Sequence, residues 1–152
     1  MAFRINKSAR DQWFKDISNE FSIDFDIYYL CLLPGIVSRR KLELPNSQTV
    51  ELIRGFPDLY REQSRIIVSL FLDAELNELG IDFTNKGEVH KAIGSYVNAT
   101  SQTYLTATGE EQLNQYAHGG FELIASWFDD RPRWFLNFVK TYREQLSKLE
   151  GL

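Results

Sequence analysis

The residues of this sequence best suited to chemistry are basic. Arg39, Arg40 and Lys41 are consecutive. Arginine can hold a phosphate through two parallel hydrogen bonds, and lysine adds a compact positive charge, so the three cations form a candidate phosphate site. Lys7 and Arg10 are predicted on the outer side of a first helix and could add to it. Taken singly, each of these residues could instead belong to a solvated face or an ordinary ion pair.

A second group of cations lies near the end of the chain. Arg131 and Arg133 flank Pro132 and adjoin Trp134, which combines positive charge with an aromatic ring. The distribution of charge along the chain indicates that the two groups of cations act together. Residues 1–65 have a net charge of +1, residues 66–130 of −8, and residues 131–152 of +3. Two basic ends around an acidic centre favour an anionic partner, because binding follows the local field and not the total charge of −4.

The sequence lacks the patterns typical of metal binding, disulfide formation and catalysis. The two histidines, His90 and His118, lie on different predicted helices, so we predict no metal site. Cys31 is the single cysteine and lies in an apolar run, which excludes a disulfide within the chain and predicts an inert thiol. The carboxylate pairs Glu110-Glu111 and Asp129-Asp130 stand where helices are predicted to begin, so capping accounts for them. No catalytic residue can be identified.

Length and periodicity predict an all-α fold, a compact bundle of about five to six helices forming a single domain over residues 1–152. The 43% hydrophobic and 14% aromatic content is enough for a core. The predicted helices cover residues 7–20, 24–33, 58–79, 85–108, 110–128 and 131–149. No segment shows sustained period-two alternation, so a sheet is not expected, although Thr49–Ile53 could be a short helix or strand.

Three features interrupt the helical pattern. Pro34-Gly35 is predicted to end or kink the second helix, since proline cannot donate the backbone hydrogen bond of a helix interior. Gly119-Gly120 predicts a kink or the close approach of another backbone. Residues 38–58 form one long connection, and long connections in compact domains are often functional. We therefore expect function there first.

The opening residues, Phe3-Arg4-Ile5-Asn6-Lys7-Ser8-Ala9-Arg10-Asp11-Gln12, resemble the start of the small DndE-type subunit of DNA phosphorothioation systems. The layout is similar too. A buried second helix precedes a proline-containing connection, and a long helix stops at Leu76 to Gly80. The chain differs from that family in being longer and more acidic, and in its additional aromatic C-terminal helix.

The resemblance implies an oligomeric component of a phosphorothioation or related phage-defence system that binds duplex or nicked DNA and works with other defence subunits. Related small subunits are assigned nicking activity, so the protein is a candidate DNA nickase. Mg²⁺ would be the cofactor of such an activity, and no other cofactor is predicted. Of the family's basic N-terminal face, Arg4, Lys7 and Arg10 can be transferred to this chain. The predicted DNA-binding set is therefore Arg4, Lys7, Arg10, Arg39, Arg40, Lys41, Arg131 and Arg133.

Two other functions stay open. The chain could be a non-enzymatic adaptor or self-assembling subunit, and an exposed patch of Trp127, Phe128, Trp134 or Phe135 would then mark the interface. A small-molecule enzyme or sensor with a pocket between helices is the third alternative.

The sequence predicts a cytoplasmic protein without a membrane partner. The segment Met1 to Lys7 has no apolar region typical of a signal peptide. The longest apolar stretch, Ile27 to Val37, has 11 residues, whereas a spanning helix needs about 20.

Overall fold

Helices dominate the computed structural model, which describes residues 2–150. The α-helices are α1 (Phe25–Ser38), α2 (Gln63–Glu78), α3 (Lys86–Tyr96), α4 (Ala107–Ser126) and α5 (Phe135–Glu150). Shorter helical turns are a π-helical turn at Ala9–Trp13 and 3₁₀ turns at Lys15–Glu20, Asn46–Gln48 and Asp58–Tyr60. The prediction of a predominantly helical protein is confirmed.

The chain is nevertheless not strictly all-α, because two strands form a small antiparallel sheet. β1 (Phe3–Asn6) pairs with β2 (Thr49–Ile53), with Ile5 opposite Val50 and Asn6 opposite Thr49. Phe3 and Ile5 are buried while the residues after them are only half-buried. The expectation of no sheet was therefore wrong. A four-residue strand is too short to show sustained alternation, and its partner lies more than 40 residues away.

The centre of the fold is the crossing of α1 and α4. A Cβ on Gly120 would lie 1.7 Å from the carbonyl oxygen of Cys31, and a Cβ on Gly35 would lie 1.9 Å from that of Tyr116. Such distances are far below van der Waals contact, so only glycine lets the two backbones approach this closely. The close approach predicted at Gly119-Gly120 is thus present, and the helix α4 continues through both glycines.

Pro34 does not end α1, so the first of the two predicted alternatives, an end or a kink, is wrong. The helix continues to Ser38 and ends where Arg39 adopts a left-handed conformation with φ of 55°. A proline at this position leaves the carbonyl of Leu30 without its usual helical N–H donor. The hydroxyl of Tyr142, on α5, donates to that oxygen at 2.7 Å. The tertiary contact therefore satisfies the group that the proline orphans.

Three predicted helices are interrupted or shortened. In the segment predicted over 58–79, Asp58–Tyr60 form a 3₁₀ turn and α2 starts only at Gln63. The segment 7–20 is divided into the π-helical and 3₁₀ turns, although Phe14 and Ile17 of its apolar stripe are buried as expected. The helix predicted over 85–108 begins as expected, with Asn85 accepting from the N–H of Glu88, but it ends at Tyr96. Asn98 then accepts from the N–H of Thr100, and this local bond competes with helix continuation.

The last helix begins later than predicted. Asp130 was expected to cap a helix starting at Arg131, whereas α5 starts at Phe135. The Asp130 carboxylate accepts from the N–H of Arg131 at 2.8 Å and from the guanidinium of Arg133 at 3.1 Å. These bonds stabilise a turn before the helix instead of the first turn of the helix itself.

Candidate functional site

Arg4 is held beside the sheet and does not extend freely into solvent. Its Nε donates to the hydroxyl of Thr49 at 2.9 Å, and its Nη2 donates to the Thr49 carbonyl oxygen at 3.2 Å. Its backbone N–H donates to the side-chain oxygen of Asn114 on α4 at 3.0 Å. The guanidinium is half-buried and faces a polar cavity. Its position fits the wall of a pocket better than an outer DNA-binding face.

Lys7 and Arg10 differ in how their charges are neutralised. The Nε of Arg10 lies 2.8 Å from the carboxylate of Asp11, and this hydrogen bond lowers the pKa of Asp11. Lys7 is exposed and forms no ion pair within residues 2–150. Of the two cations, Lys7 is the one available to an external anion without competition.

The predicted triad Arg39-Arg40-Lys41 does not act as one cluster. Arg40 forms an exposed ion pair with Glu122 of α4. Lys41 turns inward, where its Nζ lies 2.7 Å from the carboxylate of Glu75. Arg39 is exposed and has no ion pair in the described part of the chain. The three consecutive cations therefore have three different environments.

The Lys41 ion pair is part of a buried network. Glu75 on α2 is only 2% exposed, and its Oε1 also accepts from the hydroxyl of Tyr116 at 2.7 Å. The Lys41 ammonium lies 5.3 Å from the centre of the Tyr116 ring. Burial, followed by the bond to Glu75, raises the pKa of Tyr116 well above its usual value. Lys41 neutralises a buried carboxylate, which is a structural role.

Arg131 and Arg133 are also paired. The Nε of Arg131 lies 3.4 Å from the carboxylate of Asp16, and Arg133 binds Asp130 at 3.1 Å. The backbone bond from Arg131, then the bond from Arg133, lower the pKa of Asp130. Five of the eight predicted cations thus have a carboxylate partner within the protein.

Sequence reasoning missed a set of unpaired cations on α5. Lys140, Arg143 and Lys148 are exposed, line one surface depression together with Glu144, and form no ion pair within residues 2–150. They lie opposite the buried Phe138 and Tyr142, which anchor the helix to the core. The net charge of +3 over residues 131–152 indicated a basic segment. It does not identify the cations that form no ion pair in the described structure.

The aromatic residues predicted to form an interface also differ from one another, in this case in their exposure. Trp127, Phe128 and Phe135 are half-buried and pack against the core. Trp134, by contrast, is 71% exposed, and the nearby Leu136 is 80% exposed. Leu136 lines the same depression as these three cations, and Trp134 stands directly before the first residue of α5. We call this set, Trp134, Leu136, Lys140, Arg143 and Lys148, the α5 face.

A polar cavity of about 290 Å³ lies between α4, the sheet and the long connection. His118, on its wall, is 4% exposed, and its Nδ1 has no hydrogen-bond partner in the described structure. Burial, and then the charge of Arg4, lower the pKa of His118 to about 4. The imidazole is therefore neutral at pH 7, so the charge of Arg4 dominates this side of the cavity.

Metal binding and membrane insertion have no identifiable elements in residues 2–150. No group of three or more His, Cys, Asp or Glu side chains is arranged there to hold a metal ion. Within the same residues, no helix has both the length and the apolar character needed to cross a bilayer.

Comparison of the chain with family models, with curated proteins and with solved structures finds no match.

Proposed function

We propose that the protein is a DNA-binding subunit that contacts the phosphate backbone through the α5 face. The observation that carries this proposal is the set of exposed cations Lys140, Arg143 and Lys148 on one side of a well-anchored helix, none of which forms an ion pair within residues 2–150. At 1.5 Å per residue they span about 12 Å of the helix, a length that covers several phosphates of one strand. Cations without internal partners give up no existing ion pair when they meet a phosphate.

The cations predicted from the sequence contribute unequally to this proposal. Lys7 and Arg39 are exposed and unpaired, so they are the predicted residues most able to extend the contact. Arg10, Arg40, Arg131 and Arg133 would have to exchange a carboxylate for a phosphate. Such exchange costs little free energy, because surface ion pairs contribute only about 0–1 kcal/mol to stability. Lys41 is excluded from the proposed contact by its buried partner.

Binding of nicked duplex is the part of the proposal that involves Trp134. A nick interrupts one strand without unpairing a base, and an exposed indole can stack on the base pair at the interruption. The resemblance to DndE-type subunits adds the biological setting, a phosphorothioation or related phage-defence system with other subunits and a homo-oligomeric assembly.

The proposal is tested by fluorescence anisotropy with labelled intact and nicked duplexes. Replacing Lys140, Arg143 and Lys148 by alanine should weaken binding to both DNAs at least tenfold, without regard to sequence, because phosphate contacts carry no sequence information. The matched control replaces Arg65, Lys86 and Lys91, three exposed cations outside the α5 face. Equal losses in the two variants would mean that only net charge matters and would remove the site assignment.

Nicking requires a separate assay, because binding and cleavage are independent properties. The protein would be incubated with supercoiled plasmid, with and without Mg²⁺, and the appearance of open circles followed. Conversion that increases with protein concentration would make the subunit a nickase. An unchanged plasmid would restrict the proposal to binding.

A second candidate function is a non-enzymatic adaptor, which the exposure of Trp134 and Leu136 favours. Tryptophan and arginine are enriched among the residues that dominate the binding energy of protein interfaces. In that case Trp134→Ala should abolish partner binding or self-association while DNA affinity stays unchanged. Light scattering that shows a monomer for the wild type and the variant alike would argue against self-assembly through this face.

A further inference from the structure

The polar cavity between α4 and the long connection contains charges that the protein does not neutralise. Arg4 lies at the wall formed by the sheet, and Glu43 and Glu111 line the same cavity. None of these three charged side chains forms an ion pair within residues 2–150. The cavity is therefore lined by one half-buried cation and two exposed anions that are not paired with one another.

The Arg4 guanidinium has hydrogen-bonding capacity to spare. Arginine carries five N–H donors, and the described structure uses two of them, both on Thr49. The two bonds fix the plane of the guanidinium and leave its other donors free. A fixed fork with free donors matches the two oxygens of a carboxylate.

His118 adds a second polar group beside Arg4. It is more than nine-tenths buried, lines the cavity, and has an Nδ1 without a partner. A buried polar atom without a partner costs about 1–3 kcal/mol, and a water, an ion or a ligand that supplies the missing hydrogen bond removes that cost. Because the ring is neutral, it can accept one hydrogen bond and donate another without adding charge.

The rest of the lining comes from the long connection and from α4, on which Glu111 lies about two turns before His118 on the same face. The N–H of Leu42 donates to the carbonyl of Gln115 at 3.0 Å, which fixes the start of the connection onto α4. Glu43 follows immediately and is exposed, as is Glu111. The negative charges therefore lie nearer to solvent, whereas the positive charge is half-buried.

We propose that this cavity binds a small zwitterion of the α-amino-acid class, with its carboxylate on Arg4 and His118 and its ammonium group toward Glu43 and Glu111. The volume of about 290 Å³ suits a ligand of this size. The charge pattern opposes a nucleic-acid strand, since two carboxylates repel a polyanion. The site is independent of the proposed DNA contact, which lies on the α5 face.

Thermal shift with the twenty L-amino acids, followed by calorimetric titration of those that act, tests the proposal on the full chain. At least one amino acid should raise Tm by several degrees at concentrations far above its Kd, because a ligand that binds only the folded state stabilises it. Acetate, methylammonium and inorganic phosphate at equal ionic strength are the single-charge controls. They should give little or no shift.

Substitutions in the cavity test whether the amino acid binds there. Glu111→Gln lies on the surface and should fold normally, and we expect it to weaken binding by up to about fivefold. Arg4→Gln should weaken binding about 30-fold or more, since bonds to a charged group are lost. Glu88→Gln, an exposed carboxylate on α3 outside the cavity, should change nothing.

Three results would overturn the proposal. The first is the absence of a shift from every amino acid. The second is an equal shift from phosphate or acetate alone, which would indicate a simple anion site. The third is undiminished binding in Glu111→Gln, which would place the ligand elsewhere.

Discussion

Lys41 shows how the environment of a single residue decides what its charge can do. In the sequence it is the third of three consecutive cations, but in the fold its ammonium lies 2.7 Å from a carboxylate that is almost fully buried. An unpaired buried carboxylate is costly, so the lysine is needed inside the protein. Its neighbour Arg40 forms a solvent-exposed pair, which contributes little.

This contrast predicts different stabilities for two similar substitutions. Lys41→Met should lower the free energy of unfolding by about 3 kcal/mol, because it leaves the Glu75 charge buried and unpaired. Arg40→Met, the matched control, should cost less than about 1 kcal/mol. Urea denaturation measures both. Adding Glu75→Gln to Lys41→Met should restore part of the loss, and equal effects of the two single substitutions would contradict the assignment.

His118 predicts a pH dependence of stability. The pKa of an unfolded histidine is about 6.5, whereas burial lowers the pKa of folded His118 to about 4. Between these values the unfolded chain binds more protons, so stability is full above pH 6.5 and is lost as the pH falls toward 4. From pH 7 to pH 5 the wild type should lose about 2 kcal/mol more than His118→Gln, measured by urea denaturation. Parallel losses in the two proteins would be evidence against a buried, neutral imidazole.

At the scale of elements, the α1–α4 crossing determines the packing of the core. Gly35 and Gly120 bring the two backbones into contact, and no side chain fits between them. The crossing also carries Asn114, whose side chain accepts from the hydroxyl of Tyr28 on α1 and from the N–H of Arg4 on β1. One point on α4 therefore fixes both a helix and the sheet.

Glycine substitutions test this packing directly. Gly120→Ala should destabilise the protein by about 3 kcal/mol or more, because its Cβ would overlap the Cys31 carbonyl oxygen. Gly94→Ala on α3 is the control, since a Cβ there meets no atom within 4 Å. The control should stabilise the helix by up to about 1 kcal/mol. Thermal unfolding distinguishes the two, and a neutral Gly120→Ala would refute the close crossing.

Local signals were the part of the fold that the sequence could predict. The long helix α2 ends before Gly80, α3 begins after Asn85, and the paired glycines mark a close approach, each as expected. Features that depend on distant residues were not predictable. Pro34 stays inside α1 because a tyrosine more than 100 residues away binds the freed carbonyl, and no local pattern contains that information.

The same distinction applies to the candidate sites. The sequence identified basic residues and the excess of positive charge near the end of the chain. It could not show which cations would be neutralised, because Arg40, Lys41 and Arg131 meet carboxylates from elements remote in sequence. The juxtaposition of Arg4 with His118 joins residues 114 positions apart in a chain of 152. It depends on the packing of β1 against α4.

At the scale of the whole molecule, the acidic centre and the α5 face have opposite charges. The overall charge of −4 repels DNA at long range, so a contact must be local and confined to the basic part of the surface. We therefore predict that the DNA affinity decreases with salt concentration. It should lose its electrostatic component when the α5 face is neutralised.

The most direct measurement is the salt dependence of DNA affinity. The slope of log K against log salt concentration is about −0.9 for each phosphate neutralised on duplex DNA. For the wild type we predict a linear decrease, and for the variant with Lys140, Arg143 and Lys148 replaced by alanine a slope reduced by about 2–3. A wild type that does not bind duplex or nicked DNA at low salt, or a variant with the wild-type slope, would contradict the proposed function.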